Sequence, residues 1–218
     1  VAAIVFAIEI FSLDLVFASL VPLLLASIAA VITSYFFRGT DVLFSFELLD
    51  AWRVKDIVFY VLLGLATGIA SVYFSKMYFL ITRFFSRFSN AYIKIGIAAI
   101  AIGFMLYLFP PLYGEGYGLI NNLLNGNTEV ALSGIQYQID FNNIWMVIVI
   151  LLIIAVFKAI AMTTTFAAGG VGGIFIPTLF MGSALGNAVA KAINQFGFEV
   201  SEANFTLIGM TGLMAGVL

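Results

Sequence analysis

The sequence predicts an all-α, polytopic membrane protein with a helix broken inside the bilayer, and three observations predict it. Hydrophobic residues fill 63% of the 218 positions and charged residues only 9%, whereas an ordinary soluble domain carries about 25% charged residues. The mean hydropathy is +1.16. Residues 159–190 hold no charge, yet four glycines fall within five positions of that run (Gly169, Gly170, Gly172, Gly173). Each costs a helix roughly 1 kcal/mol relative to alanine. Two shorter helices joined by an irregular hinge are therefore expected in place of one long span.

Composition also narrows the chemistry. Without cysteine or histidine there is no disulfide framework, no thiolate metal site and no imidazole catalysis. The net charge of −2 goes with no basic patch for nucleic acid. A membrane-embedded enzyme needs a nucleophile with its base, paired intramembrane carboxylates or metal ligands. The sequence offers none of these, so neither catalysis nor a metal or organic cofactor is expected. The chain opens on Val1 in an apolar segment, without methionine or a basic leader, and reads as a piece of a longer protein.

In residues 1–12 only Glu9 and Ser12 are polar. A carboxylate at such depth faces protein or water, or else it reaches the interface near a helix end. Residues 15–37 carry no charge and, at 1.5 Å per residue, span about 34 Å, enough to cross with some tilt despite Pro22. The mixed charges of residues 38–56 mark a solvated connection with an amphipathic turn at 44–52. A helix from Val54 to Phe85 follows, too long for a perpendicular span and so tilted. Arg83, Arg87 and Lys94 cluster without an acid between them, which puts loop 83–94 in the cytoplasm by the positive-inside rule. After the span Ile95–Leu108, residues 110–140 contain Glu115, Glu129 and Asp140 and no basic residue, which puts them outside. Within that loop Pro110-Pro111 ends the helix and residues 114–124 read as a short re-entrant helix. Residues 141–157 recross, with Lys158 just beyond the end. This lysine either snorkels or sits in a watery vestibule and concentrates anions. The hydroxyls of Thr163, Thr164 and Thr165 are placed to satisfy backbone groups freed by the hinge. A helix over Ile174–Ala190 carries Pro177 in its first turn, where a missing N–H costs little. A polar loop over Lys191–Glu202 and a last apolar helix from Ala203 complete the chain.

The helix at Ile174 starts inside the bilayer, where an unsatisfied backbone group costs several kcal/mol. An anion is one candidate partner for its first amides. Free N–H groups and the positive end of the dipole converge there, and glycines admit a ligand close to the backbone. Without a fixed cation, such binding stays weak enough for release. The other reading is that the glycines only permit close helix packing, as Gly182 and Gly186 do in a small-xxx-small face.

The run Gly172-Gly173-Ile174-Phe175-Ile176-Pro177, followed by Leu179 and Gly182, resembles the G-G-x-F-x-P-x-L-x-x-G signature of the CLC family of chloride channels and chloride/proton antiporters. The resemblance implies that the amides of Ile174 and Phe175 coordinate a central chloride and that of Ile176 lies near a more external ion, with Gly172, Gly173 and Pro177 shaping the hinge. It also implies two inverted repeats with discontinuous and re-entrant helices. Residues 1–37 would be the last two helices of the first repeat, 38–53 a connecting loop, and 54–218 most of the second repeat, truncated at its C-terminal end. Phe6 and Glu9 match a G-V-x-F-x-x-E-type stretch of the family, and Glu9 would line a proton path. Ile10 stands where many antiporters have a second glutamate that takes the internal proton, and it does not decide between channel and antiporter. Glu115 is not the gate, because the family's gating glutamate belongs to a G-R/K-E-G-P motif absent from this chain. The G-S-G-I-P segment with its coordinating serine, and the coordinating tyrosine, are absent as well. The expected function is movement of chloride or a similar small anion across a cell membrane by a parent homodimer, with a non-transporting structural or assembly role as the alternative.

Overall fold

The computed structural model describes residues 17–39, 44, 53–136 and 139–218. Glu9, Ile10 and most of the turn expected at 44–52 lie outside the described residues. The chain divides into two units, residues 1–43 and 44–218. The first contains α1 (Phe17–Arg38), which runs through Pro22 and matches the helix expected at 15–37.

In the second unit a 3-10 turn at Val54–Asp56 leads into α2 (Ile57–Phe85). It is followed by α3 (Ala91–Leu108), a 3-10 turn at Pro110–Leu112, α4 (Tyr117–Leu124), α5 (Thr128–Ala131), α6 (Ile144–Ala167), α7 (Phe175–Gln195) and α8 (Glu202–Val217). Among the described residues all regular structure is helical. Three stretches, Val54–Phe85, Ala91–Leu108 and Ile144–Ala167, are long and apolar enough to cross a membrane. The 29 residues of α2 reach about 44 Å, well beyond the roughly 30 Å of hydrocarbon, which fits the expected tilt.

The centre of this unit is the crossing of α7 and α8. A methyl on Gly186 would collide with the carbonyl of Phe205, and one on Gly182 with the backbone of Gly209 and Met210. The two helices thus touch backbone to backbone, which confirms the packing role read for Gly182 and Gly186. Around the crossing, Phe180, Phe205, Leu151, Ile154 and Leu213 are fully buried. Inside it, Asn187 Nδ2 donates to Thr206 Oγ1 at 3.2 Å, and that hydroxyl donates to the Glu202 carbonyl at 2.7 Å. The helix continues to Gln195, past the Ala190 expected from sequence. The polar residues there have partners: Lys191 pairs with Glu202 at 2.6 Å, and Asn194 bonds the Val200 amide at 2.8 Å and its carbonyl at 3.1 Å.

One expectation is corrected: α6 does not stop at residue 157. It runs from Ile144 to Ala167, so Lys158 lies within it, about 21 Å along the axis from Ile144 at 1.5 Å per residue. Residues 110–130 lie along the side of α6. Phe109 stacks on Phe157 with ring centroids 5.5 Å apart, while Gly126 to Val130 share a cavity with Ile144 and Val147. The segment therefore runs alongside α6, and α4 forms where the short helix was expected at 114–124, packed against α7 and α8.

Candidate anion site

The glycine cluster divides into two parts with different jobs. Gly169 takes φ +101°, a left-handed conformation that suits glycine. Its N–H donates to the Phe166 carbonyl at 3.0 Å, and the Gly170 N–H donates to the Thr165 carbonyl at 2.9 Å. This is a Schellman motif, which ties off the last carbonyls of α6. Packing and capping thus account for Gly169 and Gly170. They do not account for Gly173, where an added methyl would meet nothing within 4 Å.

The opposite helix end is built differently. Ile174, the N-cap of α7, makes no side-chain cap bond. The first helical bond is from the Thr178 N–H to the Ile174 carbonyl at 3.1 Å. The amides of Ile174, Phe175 and Ile176 precede that bond, and Pro177 has no N–H. Three consecutive donors therefore stand at the positive end of a 21-residue helix.

That end opens on a cavity of about 560 Å³, whose lining includes Gly172, Gly173, Phe175, Ile176 and Pro177. Its other walls come from α3, from α6 and from Leu112 to Glu115. The last of these stretches is held by Lys158, which is only 4% exposed. Its Nζ donates to the Gly114 carbonyl at 2.8 Å and the Leu112 carbonyl at 3.1 Å, and lies 4.5 Å from the centroid of Phe180. The snorkelling alternative is thus overturned. Buried inside α6, the ammonium is solvated by backbone carbonyls.

Gly116 completes the fastening. It has φ +90°, and a side chain there would strike the Phe180 ring. Glu115 lines the cavity and is itself exposed, in keeping with a solvated carboxylate. Two of the three threonines depart from expectation. Thr163 and Thr165 donate to the carbonyls of Ala159 and Ala161, one turn back, at 2.8 and 2.9 Å, and so serve the helix interior and not the groups freed at its end. Sequence reasoning located the break between α6 and α7. It missed the Lys158 contacts, because their acceptors are backbone atoms 44 and 46 residues earlier, which no side-chain pattern announces.

A family model described as voltage gated chloride channel matches residues 1–218. The chain belongs to this family. Members similar to it include the voltage-gated ClC-type chloride channel ClcB of Salmonella typhimurium, 24% identical over 210 residues that cover 94% of this chain and 45% of that protein. The H(+)/Cl(-) exchange transporter ClcA of Vibrio campbellii is also 24% identical over 210 residues, covering 92% of this chain and 41% of that protein. The chloride channel protein CLC-f of Arabidopsis thaliana is 25% identical over 211 residues, covering 89% and 25%. The chain spans less than half the length of these relatives. Family members carrying channel names and exchanger names match it equally well, so identity does not separate the two modes. The voltage gated chloride channel family consists of integral membrane proteins, in agreement with the all-α fold and its apolar helices.

Proposed function

We propose that this chain forms part of a pathway that moves chloride, or a similar small anion, across a cell membrane, with the amides of Ile174, Phe175 and Ile176 as its share of the binding site. One observation carries the reading: the N-terminus of α7, whose N-cap Ile174 makes no side-chain cap bond, opens into a cavity beside a glycine whose missing side chain no packing requires. The names of the family members support anion movement at the coarser level. The reading takes residues 1–37 as the end of a first inverted repeat and residues 54–218 as most of a second. The parent is a homodimer with loop 83–94 in the cytoplasm. Glu9 lines the proton path if exchange is the mode. The ion is the transported ligand, and surrounding lipid is the other partner. A purely structural role for the glycines fits Gly169, Gly170, Gly182 and Gly186 but leaves Gly173 without a reason.

The test is chloride efflux from liposomes containing the full-length parent, with a pH electrode in the same cell. Chloride leaving as protons move the other way establishes exchange. Chloride leaving with no linked proton movement establishes a channel-like or uncoupled mode. Folded protein without anion flux overturns the proposal.

A further inference from the structure

We infer that the cavity between α2, α3 and α6 holds one anionic phospholipid, its headgroup on Arg83 and Arg87 and an acyl chain along the apolar walls. The inference goes beyond the anion-pathway reading and does not depend on it. Its first ground is the lining. The cavity measures about 450 Å³, within the roughly 300–1,000 Å³ of ligand sites. Its walls are Leu80 and Phe84 of α2, Ile97, Ala101 and Met105 of α3, and Ile160 of α6. The three α3 residues recur at every fourth position and so share one face of that helix. Among the described residues the polar side chains at this cavity are Arg83, Arg87 and Thr164, and no carboxylate joins them.

The second ground is charge. Arg83 stands in the last turn of α2. The chain keeps turning beyond it, with the Arg87 N–H donating to the Phe84 carbonyl at 3.3 Å. Two guanidinium groups four positions apart thus reach one cavity, where like charges repel. Neither forms an ion pair among the described residues, and the pair present joins Lys191 to Glu202. The helix dipole favours a cation at the end of α2, and the positive-inside rule favours basic residues in this loop. Neither effect calls for an apolar cavity beside the charges. A phospholipid suits both features: its phosphate accepts bidentate hydrogen bonds from guanidinium, and its acyl chain takes the apolar walls. A free inorganic anion gains nothing from such walls.

The third ground is level. The helix α6 is long and apolar enough to cross a membrane, and Thr164 lies about 30 Å along it from Ile144, one hydrocarbon thickness. The arginines, exposed at the cavity that Thr164 also lines, therefore stand where hydrocarbon gives way to headgroups. Basic pockets between membrane helices on the cytoplasmic side suit anionic headgroups, which goes with the cytoplasmic placement proposed for loop 83–94.

The experiment uses the full-length parent, purified in detergent and titrated with phosphatidylglycerol or phosphatidylcholine of the same acyl chains. Bound lipid is read by native mass spectrometry. The parent is expected to bind one phosphatidylglycerol per subunit about tenfold more tightly than phosphatidylcholine. Arg83→Gln combined with Arg87→Gln is expected to abolish that preference. Lys94→Gln, which removes a charge from the same loop outside the cavity lining, should stay within about twofold of the parent. Equal affinities for the two lipids in the parent overturn the inference, as when another part of the parent fills the cavity. So does a loss in Lys94→Gln that matches, charge for charge, the loss in the arginine variant, since the attraction is then diffuse. Should the arginine variant fail to fold, Ala101→Phe decides. It keeps every charge, narrows the cavity and is expected to weaken phosphatidylglycerol binding about fivefold. Unaltered binding overturns the inference. Excess inorganic phosphate should leave the lipid bound, because it cannot replace the acyl contacts. Complete displacement would mark a free-anion site and overturn the lipid assignment.

Discussion

The Phe180 ring lies under the Lys158 ammonium at 4.5 Å and fills the space that a side chain on Gly116 would claim. One aromatic residue of α7 thus seats both the buried cation and the turn that starts α4. The cavity wall from Leu112 to Glu115 is fastened from below by α7 and from the side by α6. Its position follows from the same helix whose N-terminus it faces.

Gly116→Ala tests that seat. The alanine must adopt φ +90° and displace the Phe180 ring, a combination of strain and overpacking expected to cost about 2–4 kcal/mol. Thermal unfolding of the purified parent is expected to shift down accordingly. Gly118→Ala, at a helical glycine with open space around it, is the control and is expected to be neutral or slightly stabilising.

Gly173 and Gly186 separate ligand access from packing. Gly186→Ala drives a methyl into the Phe205 backbone and is expected to destabilise by about 1–3 kcal/mol. Gly173→Ala meets nothing, so stability should stay within about 0.5 kcal/mol of the parent. Anion flux should nevertheless fall, because the methyl stands where the ion approaches the backbone. Full flux in Gly173→Ala would return this glycine to the class of incidental residues.

Backbone substitution addresses the amides directly. Replacing Phe175 by its α-hydroxy acid leaves the side chain in place and removes one N–H. If that donor faces the ion, chloride affinity should drop by about tenfold, in line with a charge-assisted hydrogen bond of about 1.5–3 kcal/mol. Conservative apolar changes of the Ile174 side chain should be tolerated.

Ile10→Glu tests proton coupling. If the missing carboxylate limits proton delivery, the variant in the full-length parent should alter the pH dependence of anion movement, measured as linked proton flux at two pH values. Identical profiles would show that any proton takes another route.

Much of this architecture can be read from the side chains alone. The interrupted helix shows as glycines within an uncharged run, and the α7–α8 crossing shows as Gly182 and Gly186 one turn apart. The short helix α4 shows as a glycine-rich stretch after Pro110-Pro111. Lys158 misled because a charge in an apolar run ordinarily marks a helix end at the interface. What stabilises it at depth is a pair of main-chain oxygens brought close by tertiary folding, and every residue carries such an oxygen. The reach of α7 beyond Ala190 was hidden for a related reason. Lys191 and Asn194 look like loop residues until Glu202 and Val200 are seen opposite them.

The hinge also bears on how the protein is made. Gly169 and Gly170 close the last turn of α6 with its own backbone, so that this span carries its termination with it and can enter the bilayer as a finished unit. The N-cap of α7, Ile174, makes no side-chain cap bond, and the glycine face of that helix is complete only against α8. During synthesis α7 is therefore expected to remain sheltered until α8 emerges, the two inserting as a hairpin. Mispairing at the Gly186–Phe205 contact would then reduce the yield of membrane-inserted protein before it affected any ion.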